Sequence, residues 1–104
     1  MSRPANAMRG EAELPIDGRT HLLRPSFDAL VRAEEELGSL FALAERAGAG
    51  ELRLTEMAAL FWHCLADHSE VGREAVGRAV VEMGIAAAAR PLRVLLGQIF
   101  KGGG

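Results

Sequence analysis

The dipeptide Asp17-Gly18 constrains this 104-residue chain more than any other feature of its sequence. Asp-Gly is typical of the two-residue type I′ turn, because both turn positions need a positive φ. It lies between two short strand-like runs and therefore predicts an antiparallel β-hairpin. One face of that hairpin collects the apolar side chains Ala12, Leu14, Ile16 and Leu23. A two-stranded hairpin is marginal alone, so it needs a helical layer beneath it or another chain beside it.

The chain after the hairpin carries helical signals. Pro25 has no N–H for a strand ladder, and Ser26 is a suitable N-cap. Apolar residues then recur at helical spacing, which predicts helices over about residues 27–37, 39–47, 55–67, 69–83 and 85–100. Pro91 interrupts the last segment, where the helix either kinks or restarts. The predicted fold class is α+β and mostly α, with an N-terminal β-hairpin followed by four to five short helices.

Composition is that of one ordinary globular domain, at 49% hydrophobic and 25% charged residues. We expect a flexible arm over residues 1–9, a single hairpin-plus-helices domain over 10–100 and a flexible tail over 101–104. A net charge of -2 gives no overall footprint for nucleic acid or an anionic membrane. The absence of a membrane-length apolar run, of a signal core and of a second cysteine favours a reducing cytoplasm.

The segment "HCLADH" is a candidate for a chemical site. Cys64 and His68 share one helix face, and His63 and Asp67 share another, at a spacing that metal ligands use. A closed site needs three or four ligands, however, and these two pairs diverge, while His21 is distant in sequence. The pattern favours a buried, inert Cys64 beside solvated His63 and His68. We therefore expect no catalytic residue, no metal site, no cofactor and no enzyme activity.

Other surface signals leave alternatives open. Three consecutive glutamates in "RAEEELG" form either a solvated helix face or an acidic contact surface. Arginines in the last third compensate helix dipoles more readily than they make a nucleic-acid site. The last helix is apolar over a wide arc, and the hairpin has a free edge that could pair with a partner strand, features that fit a monomer core equally well. The candidate partner-binding residues are Leu14, Ile16, Leu23, Leu92, Leu95, Ile99 and Phe100.

Three blocks in this order resemble a known family: "GRTHLLRPSFDALVRAEEELG", "LFALAERAGAGELRLTEMAALFWHCL" and "EMGIAAAARPLRVLLGQIF". Over roughly residues 10–100 the chain is similar to the tail assembly chaperones of gene transfer agents and related tailed phages of α-proteobacteria. Phe27, Leu30, Leu37 and Gly38 lie in the matching first block, with Glu34 or Glu35. Trp62, Cys64 and the two nearby histidines depart from the family pattern.

The resemblance implies a non-enzymatic tail assembly chaperone of a phage-like particle, from a gene transfer agent or a prophage. Such a protein binds the tape measure protein in the bacterial cytoplasm during tail assembly. The implied partners are the tape measure protein, a tail tube protein as a second candidate, and other copies of the chain, with no nucleic acid and no membrane. Two alternatives remain: a structural tail subunit retained in the particle, and a small helical regulatory or DNA-binding module.

Overall fold

A β-hairpin is followed by five helices in the computed structural model, which describes residues 11–68 and 71–101, without the side chains of residues 100 and 101. The elements are β1 (Ala12–Ile16), β2 (Arg19–Leu23), α1 (Phe27–Leu37), α2 (Leu40–Gly48), α3 (Leu54–Cys64), α4 (Arg73–Met83) and α5 (Ile85–Lys101). This confirms the predicted α+β, mostly α fold. Within the described ranges, no helix combines the length and the apolar character needed to cross a membrane. The predicted arm, and the predicted tail after Lys101, lie outside them.

The hairpin has the register that a two-residue turn at Asp17-Gly18 requires. Ile16 pairs with Arg19, and Ala12 pairs with Leu23. Asp17 has φ 50° and Gly18 has φ 81°, as a type I′ turn requires. The apolar face is buried, comprising Ala12, Leu14, Ile16 and Leu23. The alternation along β1 therefore places one face of the hairpin in the core.

The outer edge of β2 is partly covered by the chain that follows α3. The Arg24 N–H donates to the Cys64 carbonyl over 2.6 Å, and the Ala66 N–H donates to the Leu22 carbonyl over 3.0 Å. Leu65 thereby forms a β-bridge with Leu23. The expectation that α3 continues to about Asp67 is wrong, because this extended pairing replaces the last turn of the helix. The hairpin edge that the sequence left free is occupied here within the chain.

The outer edge of β1 carries Pro15, which pairs with Thr20. In a two-residue hairpin the hydrogen-bonded pairs begin beside the turn and alternate along the ladder. Pro15 therefore occupies a position whose backbone nitrogen points away from β2. Because proline has no N–H, it offers no donor to an incoming strand at this edge.

The buried face of α1 is formed by alanines. Ala29 and Ala33 are buried, and α1 packs against α3. Phe27 and Val31, which recur at helical spacing in the sequence, are exposed, and Phe27 is 81% exposed. Small side chains allow two helices to approach closely, and α1 therefore packs through its alanines instead of through these larger residues.

The C-terminal helices meet at Gly84, which has φ 89° and ends α4 as predicted. The predicted start of this helix at residue 69 lies outside the described residues, and α4 begins at Arg73 after Gly72. α5 runs through Pro91 as one helix, so it does not restart there. Pro91 leaves the carbonyl four residues earlier without its usual helical donor. The largest fully buried side chains of the core include Phe61, Leu14, Leu43, Leu60 and Leu95.

Candidate functional site

An open apolar groove of about 770 Å³ lies between α3 and α4. α3 contributes Leu54, Thr55, Ala58 and Ala59, and α4 contributes Gly77, Val80 and Val81. Two large side chains in it are exposed, Leu54 at 45% and Val81 at 67%. Small residues at the facing positions leave space between the helices. This volume is within the range of ligand pockets, and a groove with two helices as its walls suits a segment of chain.

Charged side chains line the rim of the groove. They are Glu36 from the end of α1 and Arg73, Glu74, Arg78 and Glu82 from α4. Arg78 lies 3.8 Å from Asp17 in the hairpin turn, with both side chains exposed. The groove is therefore an apolar trough between charged borders, as in protein interfaces with an apolar centre and a polar rim.

One end of the groove is held by an ion pair between Glu36 and Arg73. The Arg73 guanidinium donates two hydrogen bonds to the Glu36 carboxylate, of 2.6 and 2.7 Å. The His63 Nε2 lies 2.8 Å from the same carboxylate, so this nitrogen is the donor. Its 3.5 Å approach to Arg73 therefore joins two donors and is not a hydrogen bond. The Arg73 guanidinium, and then His63, lower the pKa of Glu36 to about 2.

Trp62 lies beside this ion pair. The Arg73 guanidinium carbon is 4.7 Å from the centre of the Trp62 ring, a cation–π contact. His68 stacks on Trp62 with ring centres 4.5 Å apart and an interplanar angle of 7°. The Trp62 indole N–H also donates to the Val71 carbonyl over 3.0 Å. Trp62 therefore links the loop after α3 to the start of α4, and is only partly exposed as a result.

The histidines of "HCLADH" differ from their predicted state. His63 is buried, at 7% exposed, and His68 is half-buried, so the expectation that both are solvated is wrong. Both rings contact Trp62, that of His63 edge-on and that of His68 stacked, and His63 also contacts Glu36. The Nδ1 of His63 and the Nε2 of His68 are buried without a hydrogen-bond partner. In the part of the chain that the structure describes, no group of three or more His, Cys, Asp or Glu residues is arranged to hold a metal ion.

Cys64 is fully buried, as predicted. Desolvation raises the pKa of its thiol to about 12. The thiolate is the nucleophilic form of cysteine, and this environment suppresses it. The side chain behaves as a small apolar residue of the core.

The acidic run of α1 is partly used inside the fold. Glu34 accepts a hydrogen bond of 3.2 Å from the Leu40 N–H at the start of α2. Glu36 holds Arg73 and His63, as described above. Two of the three consecutive glutamates thus connect α1 to later helices. Neither interpretation of the run, as a solvated helix face or as an acidic contact surface, included this role. Glu35 is exposed.

The predicted partner-binding residues lie apart from the groove. Leu14, Ile16, Leu23, Leu92 and Leu95 are buried in the core. Ile99 is half-buried against that core, and the side chain of Phe100 is outside the described part. A partner would reach these five buried side chains only if the hairpin or α5 moved. Their role in binding stays a prediction.

Sequence reasoning missed the groove. Its available signal was Gly77, a glycine in the interior of α4 where alanine would stabilise the helix by about 1 kcal/mol. Ala58 and Ala59 gave a second signal on α3. Neither reveals a groove until the packing of α3 on α4 is known.

A protein-family model described as "Phage tail tube protein, GTA-gp10" matches residues 9–102 of the chain. The matched segment includes the hairpin, all five helices and both walls of the groove. No curated protein and no solved structure matches the chain.

Proposed function

The chain belongs to this phage tail family of gene transfer agents, and from that premise we propose that it is a tail assembly chaperone that binds the tape measure protein. Family membership gives the protein a role in the tail of a phage or gene transfer agent. The chaperone role and its partner go beyond that, and they rest on the chemistry of the α3–α4 groove.

The observation that carries the proposal is the open groove with its exposed Leu54 and Val81. A chaperone needs apolar surface that is accessible before its client arrives. An amphipathic helix can lay its apolar face into such a groove, which is one of the recurring modes of peptide recognition. The charged residues of the rim are compatible with a groove that faces solvent when no client is bound.

The state of the hairpin also favours helical recognition. The β2 edge is occupied near Leu23 by the bridge to Leu65, and Pro15 removes a donor from the β1 edge. Strand addition depends on a row of free backbone donors and acceptors. A client is therefore more readily bound by the helices than by the hairpin. We also propose contact with a tail tube protein and self-association.

The proposed role is non-enzymatic. Cys64, the candidate nucleophile, is buried, and desolvation raises its thiol pKa to about 12. Binding and release of a client require only that the chain has a higher affinity for the free client than for the assembled one.

A second candidate is a structural subunit that stays in the tail. It is favoured by the description of the family as tail tube proteins. The two roles differ in where the protein is found after assembly. Mass spectrometry of purified particles should find the chain at stoichiometric level if it is a subunit and depleted if it is a chaperone.

Co-expression with the tape measure protein, followed by light scattering on the purified complex, tests the chaperone role. A soluble complex with several copies of the chain per tape measure protein is the expected result. An insoluble tape measure protein beside a free, unchanged chain would contradict the proposal and favour the structural subunit.

A further inference from the structure

We propose that the α3–α4 groove binds a single amphipathic helix that carries two basic residues eight positions apart. The apolar face of this client helix would pack against α4 at Gly77. The inference rests on the proposed function and defines the chemistry of the client segment. It is carried by two independent observations, the glycine in the groove wall and the pattern of charges beside it.

Gly77 lies in the interior of α4 and lines the groove. It does not have a positive φ, so the backbone itself has no need for glycine. A Cβ at this position would meet nothing within 4 Å, so the surrounding packing has no need for it either. Glycine in a helix interior lowers helix stability. What the missing side chain does provide is room for another backbone to approach α4 closely.

Glu74, Arg78 and Glu82 form a row along the same wall, because residues four apart share a helix face. Arg78 has Glu74 and Glu82 on either side and Asp17 at 3.8 Å. Neither glutamate forms a hydrogen bond or an ion pair with another described residue. The row therefore carries a net negative charge with a carboxylate at each end.

The two carboxylates are two helical turns apart, about 12 Å along the axis. The other charged pair on the rim, Glu36 with Arg73, is internally neutralised. Electrostatic complementarity across an interface fixes register and suppresses wrong partners. A client helix with lysine or arginine at positions i and i+8 would place one positive charge opposite each end of the row.

A second copy of the chain fits this wall less well. If α4 packed antiparallel on its own copy about Arg78, Arg78 would face Arg78 and Glu74 would face Glu82. Like charges opposed across an interface are unfavourable. The charge row therefore favours a client of different sequence.

The test uses a fluorescent helical peptide of about 18 residues, with a Leu/Ala face and two lysines eight positions apart. Its affinity for the full chain is measured by anisotropy. Gly77→Leu fills the groove and should weaken binding at least about tenfold. Gly97→Leu is the matched control, because Gly97 is also inside a helix, faces open space and does not line the groove. It should change the affinity less than about twofold.

A charge exchange tests the row separately. The double variant Glu74→Lys with Glu82→Lys should weaken binding of the lysine peptide and strengthen binding of the same peptide with glutamates in the two positions. The inference would be overturned if Gly77→Leu and Gly97→Leu changed the peptide affinity equally. It would also be overturned if the charge exchange left the affinities of both peptides unchanged. A dimer of the chain that Gly77→Leu dissociates would overturn it as well and identify a second copy as the occupant.

The same variants separate this inference from the proposed function. If the peptide binds in the groove but no tape measure complex forms, the groove inference stands and the chaperone role fails. If the tape measure complex forms equally with wild type and Gly77→Leu while the peptide does not bind, the chaperone role stands and the groove inference fails.

Discussion

Glu36, near the end of α1, holds Arg73, the first residue of α4, through two hydrogen bonds of 2.6 and 2.7 Å. Paired hydrogen bonds between arginine and a carboxylate fix orientation as well as distance. Arg73 is thereby placed over Trp62, and one end of the groove is set. The ion pair spans elements that are far apart in sequence, so it contributes to the position of α4.

Stability should fall in acid. The pKa of Glu36 is lowered to about 2 by Arg73 and then His63, and the pKa of Glu56 is lowered to about 2 by Arg46 and then the Arg53 N–H. Both carboxylates bind protons more readily when unfolded, so their contribution is complete above a pH of about 4.5 and is lost as pH falls toward about 2. Urea unfolding followed by circular dichroism across this range measures it.

Glu36→Gln is the variant that isolates one of these pairs. It should lower the free energy of unfolding at neutral pH by about 1 kcal/mol, because the pair is partly exposed and screened. It should also reduce the loss of stability in acid. An unchanged acid dependence in Glu36→Gln would refute the assignment of that loss to Glu36.

Two phenylalanines should respond oppositely to truncation. Phe61 is fully buried, so Phe61→Ala should cost about 3–5 kcal/mol of unfolding free energy through lost burial and a cavity. Phe27 is 81% exposed, so Phe27→Ala should change that free energy by less than about 0.5 kcal/mol. Urea denaturation midpoints compare them. Similar losses in both variants would mean that α1 buries Phe27 in solution.

The Cys64 thiol should be unreactive in the folded protein. It is buried, and desolvation raises its pKa to about 12, so both access and thiolate formation are suppressed. Labelling with Ellman's reagent should be slow in buffer and rapid in concentrated urea. Equally fast labelling in the two conditions would contradict the burial of this side chain.

Replacement of glycine by alanine should have opposite effects on the free energy of unfolding in α4 and in the hairpin turn. Gly77→Ala should raise the free energy of unfolding by up to about 1 kcal/mol, because alanine favours the helix and its Cβ meets no atom within 4 Å. Gly18→Ala should lower it by about 1–2 kcal/mol, because Gly18 has φ 81°. Thermal unfolding of both variants checks the opposite signs. Destabilisation by Gly77→Ala would show that the groove closes on this residue.

Local signals were sufficient for the hairpin and for several helix ends. Asp17-Gly18 fixed the turn and register, Ser26 capped α1, and Gly84 ended α4, because each acts on its own backbone. Tertiary contacts decided the rest. The alanine stripe of α1 and the early end of α3 depend on what those segments meet, and such partners are not visible in a local pattern.

The candidate site was harder to predict than the fold. Apolar periodicity identifies side chains that avoid water, but it cannot separate those that the chain itself covers from those left for a partner. Leu14 and Leu95 proved to be fully buried, whereas Val81 in the groove is exposed. The groove arises from small residues on two helices, and small residues give a weak signal in any single segment.

The bridge between Leu23 and Leu65 sets an order on folding. α1, α2 and α3 all lie within the loop that it closes, so the entropy of loop closure must be offset by helix packing before the bridge is stable. During synthesis the hairpin emerges before the five helices, yet the outer edge of β2 cannot pair with Leu65 until that residue has left the exit tunnel. Hydrogen exchange at the Arg24 amide, which donates to the Cys64 carbonyl, therefore reports the packing of α1, α2 and α3 rather than the formation of the hairpin.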